Sequence, residues 1–290
     1  METKTCQKNC KNDFNIEPDD FSFYEKMQVP PPSWCPPCRM TRRLSFTNTW
    51  SVYFRNCDKC DKKTLTMYRP DSPVKVFCDP CWWADDWDGT EYGVDYDPNR
   101  NFLEQWKELR DKTPHFAKDS MYTTLKNCEY SNAIAFSKDC YMTFWADYGE
   151  NVYYSSYLNI VKDSMDVLRA YKSELCYESV GIGRCSKTFF SSECDDCVDV
   201  WFSRNCIGCT NCFGCANLRG KRYYIYNQPY SRGEYMEKVK ELTSTREGLD
   251  RAKKEARAFW HTLPYREYTG NSLNVNVSGD YLYESKNALH

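Results

Sequence analysis

The residues best suited to chemistry in this chain are its cysteines, 18 of them beside only 3 histidines in 290 residues. Eight form close pairs in the first third: Cys6 and Cys10 with three residues between them, then Cys35/Cys38, Cys57/Cys60 and Cys78/Cys81 with two. Such a pair presents two thiolates from one tight turn. Two pairs complete the four-sulfur tetrahedron, about 2.3 Å from the metal, that a structural zinc ion takes. Pairing in chain order gives one site from Cys6, Cys10, Cys35 and Cys38 and another from Cys57, Cys60, Cys78 and Cys81. An interleaved alternative joins Cys6/Cys10 with Cys57/Cys60 and Cys35/Cys38 with Cys78/Cys81; chain order is preferred because each site then closes a shorter loop. Both sets are closed, with no position for a catalytic water, so their expected role is structural. The competing reading is that several are small buried thiols.

A second run holds Cys194 and Cys197, then Cys206, Cys209, Cys212 and Cys215 at every third residue. Three readings compete: stacked buried thiols, a third metal site, and an iron–sulfur cluster. The last departs from the ferredoxin pattern, because the final gap is two residues and no proline follows. Arg39, Arg42 and Arg43 directly follow the second pair, and Arg55 lies further on. Arginines beside a zinc knuckle can grip phosphates, and Trp50, Tyr53 and Phe54 could stack on bases; the plainer reading is a solvated basic turn. The acidic, aromatic run from Cys81 to Asp97 would repel a phosphate backbone. It reads as Trp82, Trp83 and Trp87 packing over the metal module, its carboxylates in water and not spaced as an EF-hand. None of His115, His261 and His290 sits in a recognisable catalytic motif.

These residues need elements to hold them. A chain that is 41% hydrophobic can build a core, which excludes wholesale disorder. A mean hydropathy of −0.78 without an 18-residue apolar run excludes a membrane span. The net charge of −2 gives no global basic field for nucleic acid. The first residues carry no apolar signal segment, so a reducing, cytoplasmic setting is expected, in which dense cysteine reads as metal sites or buried thiols. The sequon at Asn276 is then a chance match.

The pattern divides the chain into a metal-binding double module at 1–118, a repeat region at 119–228, and a helical segment with a β-like tail at 229–290. In the first part, Phe102, Leu103, Trp106 and Leu109 predict a helix over 99–111, and Tyr68–Phe77 a hairpin arm. In the second, Cys128, Cys140, Val152, Ser164 and Cys176 stand 12 residues apart, continued by Cys185, Cys194 and Cys206. A short fixed period with few helix signals predicts a parallel β-solenoid. Its runs read as alternating in and out, with Cys140, Met142 and Phe144 on one side, and so many aromatics suggest two units per coil. In the third, Ser231 and Glu234 form a capping box, with Met236, Val239 and Leu242 on one face. After a break near 243–245, Leu249, Ala252, Ala256 and Phe259 face inward. This helical pair is expected to cap the solenoid. Leu273, Val275, Val277, Tyr281 and Tyr283 make the tail β-like.

The motifs SWCPPCRMTRRLSFTN, RNCDKC, YRPDSPVKVFCDPCWWADDWDGTEYGVDYD, KDCYM, SELCYE and GCTNCFGCANLRGKRYYIYN resemble an uncharacterised family. It is common in metagenomic, candidate-phyla bacterial and phage-like sequences, and is sometimes carried under a CaiB/BaiF (CoA-transferase) label. The resemblance runs from Cys6 to about Lys286 and implies no established activity; no CoA-binding fold or catalytic aspartate is recognised here.

The expected fold is mainly β with a small α part: a zinc-ribbon-like module, a central parallel β-solenoid and a C-terminal helical cap. The expected function is a zinc-stabilised structural or binding protein that engages a protein partner or self-assembles, with a virion component as one context. The alternatives are a zinc-dependent nucleic-acid-binding protein using Arg39, Arg42, Arg43 and Arg55, and a solenoid-type carbohydrate-active enzyme, for which no carboxylate pair stands out.

Overall fold

From Ala133 to Tyr226 the backbone turns a corner at every third residue, each with φ between +44 and +66°. Between corners the chain is extended, and four three-residue sides close one coil of 12 residues. The register shows this directly: Phe144 pairs with Ser156, Glu174 with Ser186, Ser186 with Val198, Val198 with Thr210 and Thr210 with Arg222, all parallel. The coil is therefore one 12-residue unit, which corrects the expectation of two units per coil. The computed structural model describes residues 1–288 except 9, 46–47, 265–272, 280–281 and 283. The chain divides into two compact units, Met1–Lys118 and Asp119–His290. The expectations for Tyr281, Tyr283 and His290 fall outside the described residues.

In the second unit the strands are β7 (Asn132–Ala135), β8 (Lys138–Tyr141), β9 (Phe144–Tyr153), β10 (Ser156–Gly183), β11 (Ser186–Phe189), β12 (Val198–Trp201), β13 (Thr210–Phe213), β14 (Arg222–Ile225) and β15 (Gln228–Pro229). They form a single nine-stranded sheet that winds up the solenoid. Every third side chain from Cys128 to Cys215 is buried, and each is Cys, Ser, Thr, Gly, Ala, Val, Ile or Leu. The burial period is three, not the expected two. Cys140, Thr143 and Ala146 point in, while Tyr141 and Trp145 point out. A bore bounded by four short sides admits only small side chains, so the aromatics line the outside.

The same geometry accounts for the backbone polar groups, which a dry bore cannot leave unpaired. Corner amides donate to the preceding coil, to a carbonyl as from Asp139 to Lys126 (2.8 Å) and from Phe202 to Phe189 (2.9 Å), or at Phe136 to the Thr124 hydroxyl (2.9 Å). Each outer amide donates to the following coil, as from Phe144 to Ser155 (3.0 Å). Several inward amides donate to a serine hydroxyl one coil back: Val167 to Ser155 (3.0 Å), Ser203 to Ser191 (3.0 Å) and Cys215 to Ser203 (3.2 Å). Left-handed corners disfavour most side chains, and Asn, Asp and Gly tolerate them best. Gly214 has a further reason: a Cβ there would lie 2.3 Å from the Tyr226 ring. At the last coil the Asn227 side chain replaces a further rung, accepting from the Ala216 amide and donating to its carbonyl, both at 3.0 Å.

The helical pair α5 (Arg232–Thr243) and α6 (Arg246–His261) packs on the last coils. Ser231 and Glu234 form the capping box, and Thr245 caps α6. Val239 and Leu242 bring α5 to the core as expected, but the third contact is the buried Tyr235, whereas Met236 is exposed. From α6, Leu249, Ala252 and Ala256 enter the same cluster, and Phe259 meets the Tyr226 ring. Their partners are Phe190, Trp201, Phe202, Phe213, Tyr226 and Ile225, two adjoining outward columns of the final coils, aromatic but for Ile225. Val275 bridges Lys286 in parallel, so the tail carries one rung of its own.

In the first unit, β1 (Glu2–Thr5) and β2 (Asp13–Ile16) form an antiparallel hairpin, followed by α1 (Pro18–Lys26) and α2 (Pro36–Leu44). A second hairpin joins β3 (Tyr53–Asn56) to β4 (Lys63–Thr66), then β5 (Val76–Phe77), α3 (Asp79–Trp82), α4 (Phe102–Lys112) and β6 (His115–Phe116). The hairpin arm expected at Tyr68–Phe77 is thus a connection that ends in β5, which pairs parallel with β6. Helix α4 forms with Asn101 as its cap, yet Phe102, Leu103 and Trp106 are all more than half exposed. Among the described residues, no helix is long and apolar enough to cross a membrane.

Candidate metal centres

Each centre is built from one hairpin tip and one helix start. Cys6 and Cys10 lie between β1 and β2, and Cys57 and Cys60 between β3 and β4. Cys35 caps α2 and Cys38 sits in its first turn; Cys78 and Cys81 do the same for α3. In both helices proline fills the first turn, where its missing N–H costs nothing. A helix N-terminus also favours negative charge, which suits a thiolate.

The geometry pairs the cysteines in chain order. The sulfurs of Cys6, Cys10, Cys35 and Cys38 all lie within 4.8 Å of one another, as do those of Cys57, Cys60, Cys78 and Cys81. The interleaved pairing is thereby excluded. Individual separations are 3.6 Å for Cys10–Cys35, 3.4 Å for Cys38–Cys10 and 3.7 Å for Cys60–Cys78. A tetrahedron with metal–sulfur bonds of about 2.3 Å has edges of about 3.8 Å. Four soft thiolates at that spacing fit a zinc ion, which would join hairpin to helix in each module.

Backbone amides complete the electrostatics. Cys6 Sγ accepts from the Cys35 amide at 3.2 Å, and Cys57 Sγ from Cys78 at 3.2 Å and Lys59 at 3.5 Å. Burial opposes ionisation of Cys6, but the Cys35 and Lys8 amides and the neighbouring thiols outweigh it and bring it down to about 6. Burial likewise opposes ionisation of Cys57, and the Cys78, Cys60 and Lys59 amides bring it down to about 7. The thiols of Cys10 and Cys35 push Cys38 up to about 12, and burial first of all does so for Cys78. Thiolate ligands must be deprotonated, so metal binding at either centre releases protons. Around the second centre Phe77, Trp82 and Trp87 pack on Cys57 and Cys78, while Trp83 is exposed.

The remaining candidates fall elsewhere. Cys194, Cys197, Cys206, Cys209, Cys212 and Cys215 occupy inward positions of the solenoid bore, and the last four fill all four sides of one coil. There the sulfurs donate to carbonyls: Cys185 to Gly183 (3.1 Å), Cys197 to Asp195 (3.3 Å) and Cys215 to Phe213 (3.4 Å). Among the described residues, the converging donor sets are the two of the first unit. All 18 cysteines are unbridged. Arg39, Arg42 and Arg43 share α2, with Arg42 over the Trp34 ring at 5.4 Å. Arg55 is not brought to them as a free group; it braces β3 by donating to Asp58 (3.2 Å) and the Val74 carbonyl (3.1 Å). Sequence reasoning missed Lys8, which lies over the same Trp34 ring at 4.6 Å. No family model, curated protein or solved structure matches this chain.

Proposed function

We propose that this protein is a non-enzymatic binding scaffold: a zinc-stapled module joined to a solenoid whose outer columns engage a protein partner or further copies. The observation that supports this most is the three-residue period. It sends one side chain in three inward and leaves the others in straight columns, one residue per coil at about 4.8 Å spacing. Lys138, Glu150 and Lys162 form one such column, linked by ion pairs of 3.4 and 3.2 Å. Phe136 stacks on Tyr148, and Trp145 on Tyr157, in two others. Repeating rigid surfaces of this kind suit extended recognition and assembly. A virion or similar assembly is the context suggested by the phage-like resemblance. The test is sedimentation of the purified chain over a concentration series, alone and with its source assembly; a large particle or stable complex is expected. A chain that stays monomeric and enters no complex overturns the reading.

One arrangement favours a second reading. The exposed Arg42 and Arg43 project from α2 beside the first centre, next to the Lys8–Trp34 stack. That surface could hold phosphates. It predicts nucleic-acid binding that falls steeply with salt and is lost in Arg42→Ala/Arg43→Ala. The scaffold reading predicts no such binding at physiological salt.

A further inference from the structure

The column that receives the C-terminal helices does not end where they end. Positions on one side of the solenoid run in register through Tyr141, Tyr153 and Met165, and later through Tyr177, Phe189, Trp201, Phe213 and Ile225. The adjoining corner carries Met142 and Tyr154, with Tyr130 twelve residues before Met142, and later Phe190, Phe202 and Tyr226. Over the later coils this strip is covered by α5 and α6. Over the earlier coils Tyr130, Tyr141, Tyr153, Tyr154 and Met165 are all at least 37% exposed, and ring contacts join Tyr130 to Tyr141 and Tyr141 to Tyr154.

The covered half shows what fits. Helix α6 runs with the strip: Lys253 pairs with Glu178 and lies over Phe190, while Glu255 and Phe259 meet Tyr226 four coils further on. Its contact face uses the small Ala252 and Ala256, and five Lys or Arg against three acidic residues make it net basic. Its cation answers an acid of the corner column. The open half offers the same chemistry, with Glu129 and Asp166 exposed in the two columns. We infer that Tyr130, Tyr141, Met142, Tyr153, Tyr154 and Met165 form a docking strip for a basic amphipathic helix of a partner protein, laid collinear with α6. This rests on the scaffold reading and names the surface and the chemistry of its partner. A helix of 16 residues is about 24 Å long, enough to cross about five coils.

The probe is a synthetic, fluorophore-labelled peptide of residues 246–261, titrated with the intact zinc-loaded chain by anisotropy. Saturable binding in the micromolar range is expected, weakened at least about tenfold by Tyr141→Ser/Tyr154→Ser. The control Tyr148→Ser, on another column, should leave it unchanged. Should the double variant fold poorly, a peptide carrying Lys253→Glu and Lys254→Glu must lose binding to the unaltered chain. No saturation, or equal binding by the double variant, overturns the inference. So does self-association of the chain that the double variant abolishes, which would assign the strip to a second copy. If large-particle assembly persists in the double variant and the peptide does not bind, the docking strip fails while the scaffold reading stands.

Discussion

The eight cysteines of residues 1–118 and the ten that follow share a side chain and differ in their hydrogen-bond partners: backbone amides and other cysteines for the first, carbonyls for the second. At the candidate metal centres the sulfurs of Cys6 and Cys57 accept from backbone amides, at hairpin tips and helix starts where negative charge is favoured. In the solenoid the sulfurs of Cys185, Cys197 and Cys215 donate to carbonyls. Burial pushes the Cys176 thiol up to about 12. An accepting sulfur is poised as a thiolate ligand, and a donating one is a small, weakly polar core residue. Residue type alone does not separate ligand from packing; the polarity of the neighbouring backbone does.

The largest expected difference between the regions follows metal removal. Chelation, or Cys57→Ser, should unfold the affected module of the first unit, because binding and folding free energy are the same quantity there. The solenoid should stay intact. Hydrogen exchange resolved by segment checks this, and loss of protection throughout 119–230 would break the comparison. Next in size is the bore. Leu158→Ala should cost about 2–5 kcal/mol by opening a cavity, whereas Cys209→Ser should cost far less, since Ser173 fills the equivalent position three coils earlier in the same column. Denaturant melts of the solenoid read both. Ser203→Ala strands the Cys215 amide and should cost about 1–3 kcal/mol.

Acid should weaken both centres. A thiol whose folded pKa lies below its ordinary value supports the folded state while it is ionised, and loses that contribution as pH falls through the folded value. Backbone amides hold Cys57 at about 7 and Cys6 at about 6, both below the ordinary thiol value. Metal retention should therefore weaken at both centres as pH falls through that window, as metal-indicator titration will show. The smallest effect concerns a corner. Leu175 holds φ of +55° in the column that carries Asn151 and Asp163, which share a 2.9 Å hydrogen bond. Leu175→Asn should stabilise the solenoid by about 1 kcal/mol, seen as a rise in melting temperature.

What could be read from the sequence follows the range over which each signal acts. The four cysteine pairs were legible because a knuckle is a local object, and chain-order pairing followed from loop length. The 12-residue spacing of Cys128, Cys140, Val152, Ser164 and Cys176 was legible because it is one column of the bore. The three-residue side was not. Serine and cysteine inside with tyrosine and tryptophan outside invert the usual hydrophobic pattern, and Cys140, Met142 and Phe144 mimic a two-residue alternation. Nor could spacing show that Arg55 is bound by Asp58 and Val74, because that contact depends on how β3 meets the later loop. The 9-residue steps from Cys176 to Cys185 and Cys194 are each three sides of a coil, which the 12-residue spacing alone does not reveal.

The central claim, that eight cysteines hold metal and ten hold architecture, is tested most directly by combining elemental analysis with thiol titration on the native protein. The account predicts about two zinc ions per chain. Eight thiols should become reactive as a chelator removes that zinc, and ten more only in denaturant. Absence of zinc, iron in its place, a third metal ion, or solenoid thiols reacting together with the first eight would contradict it.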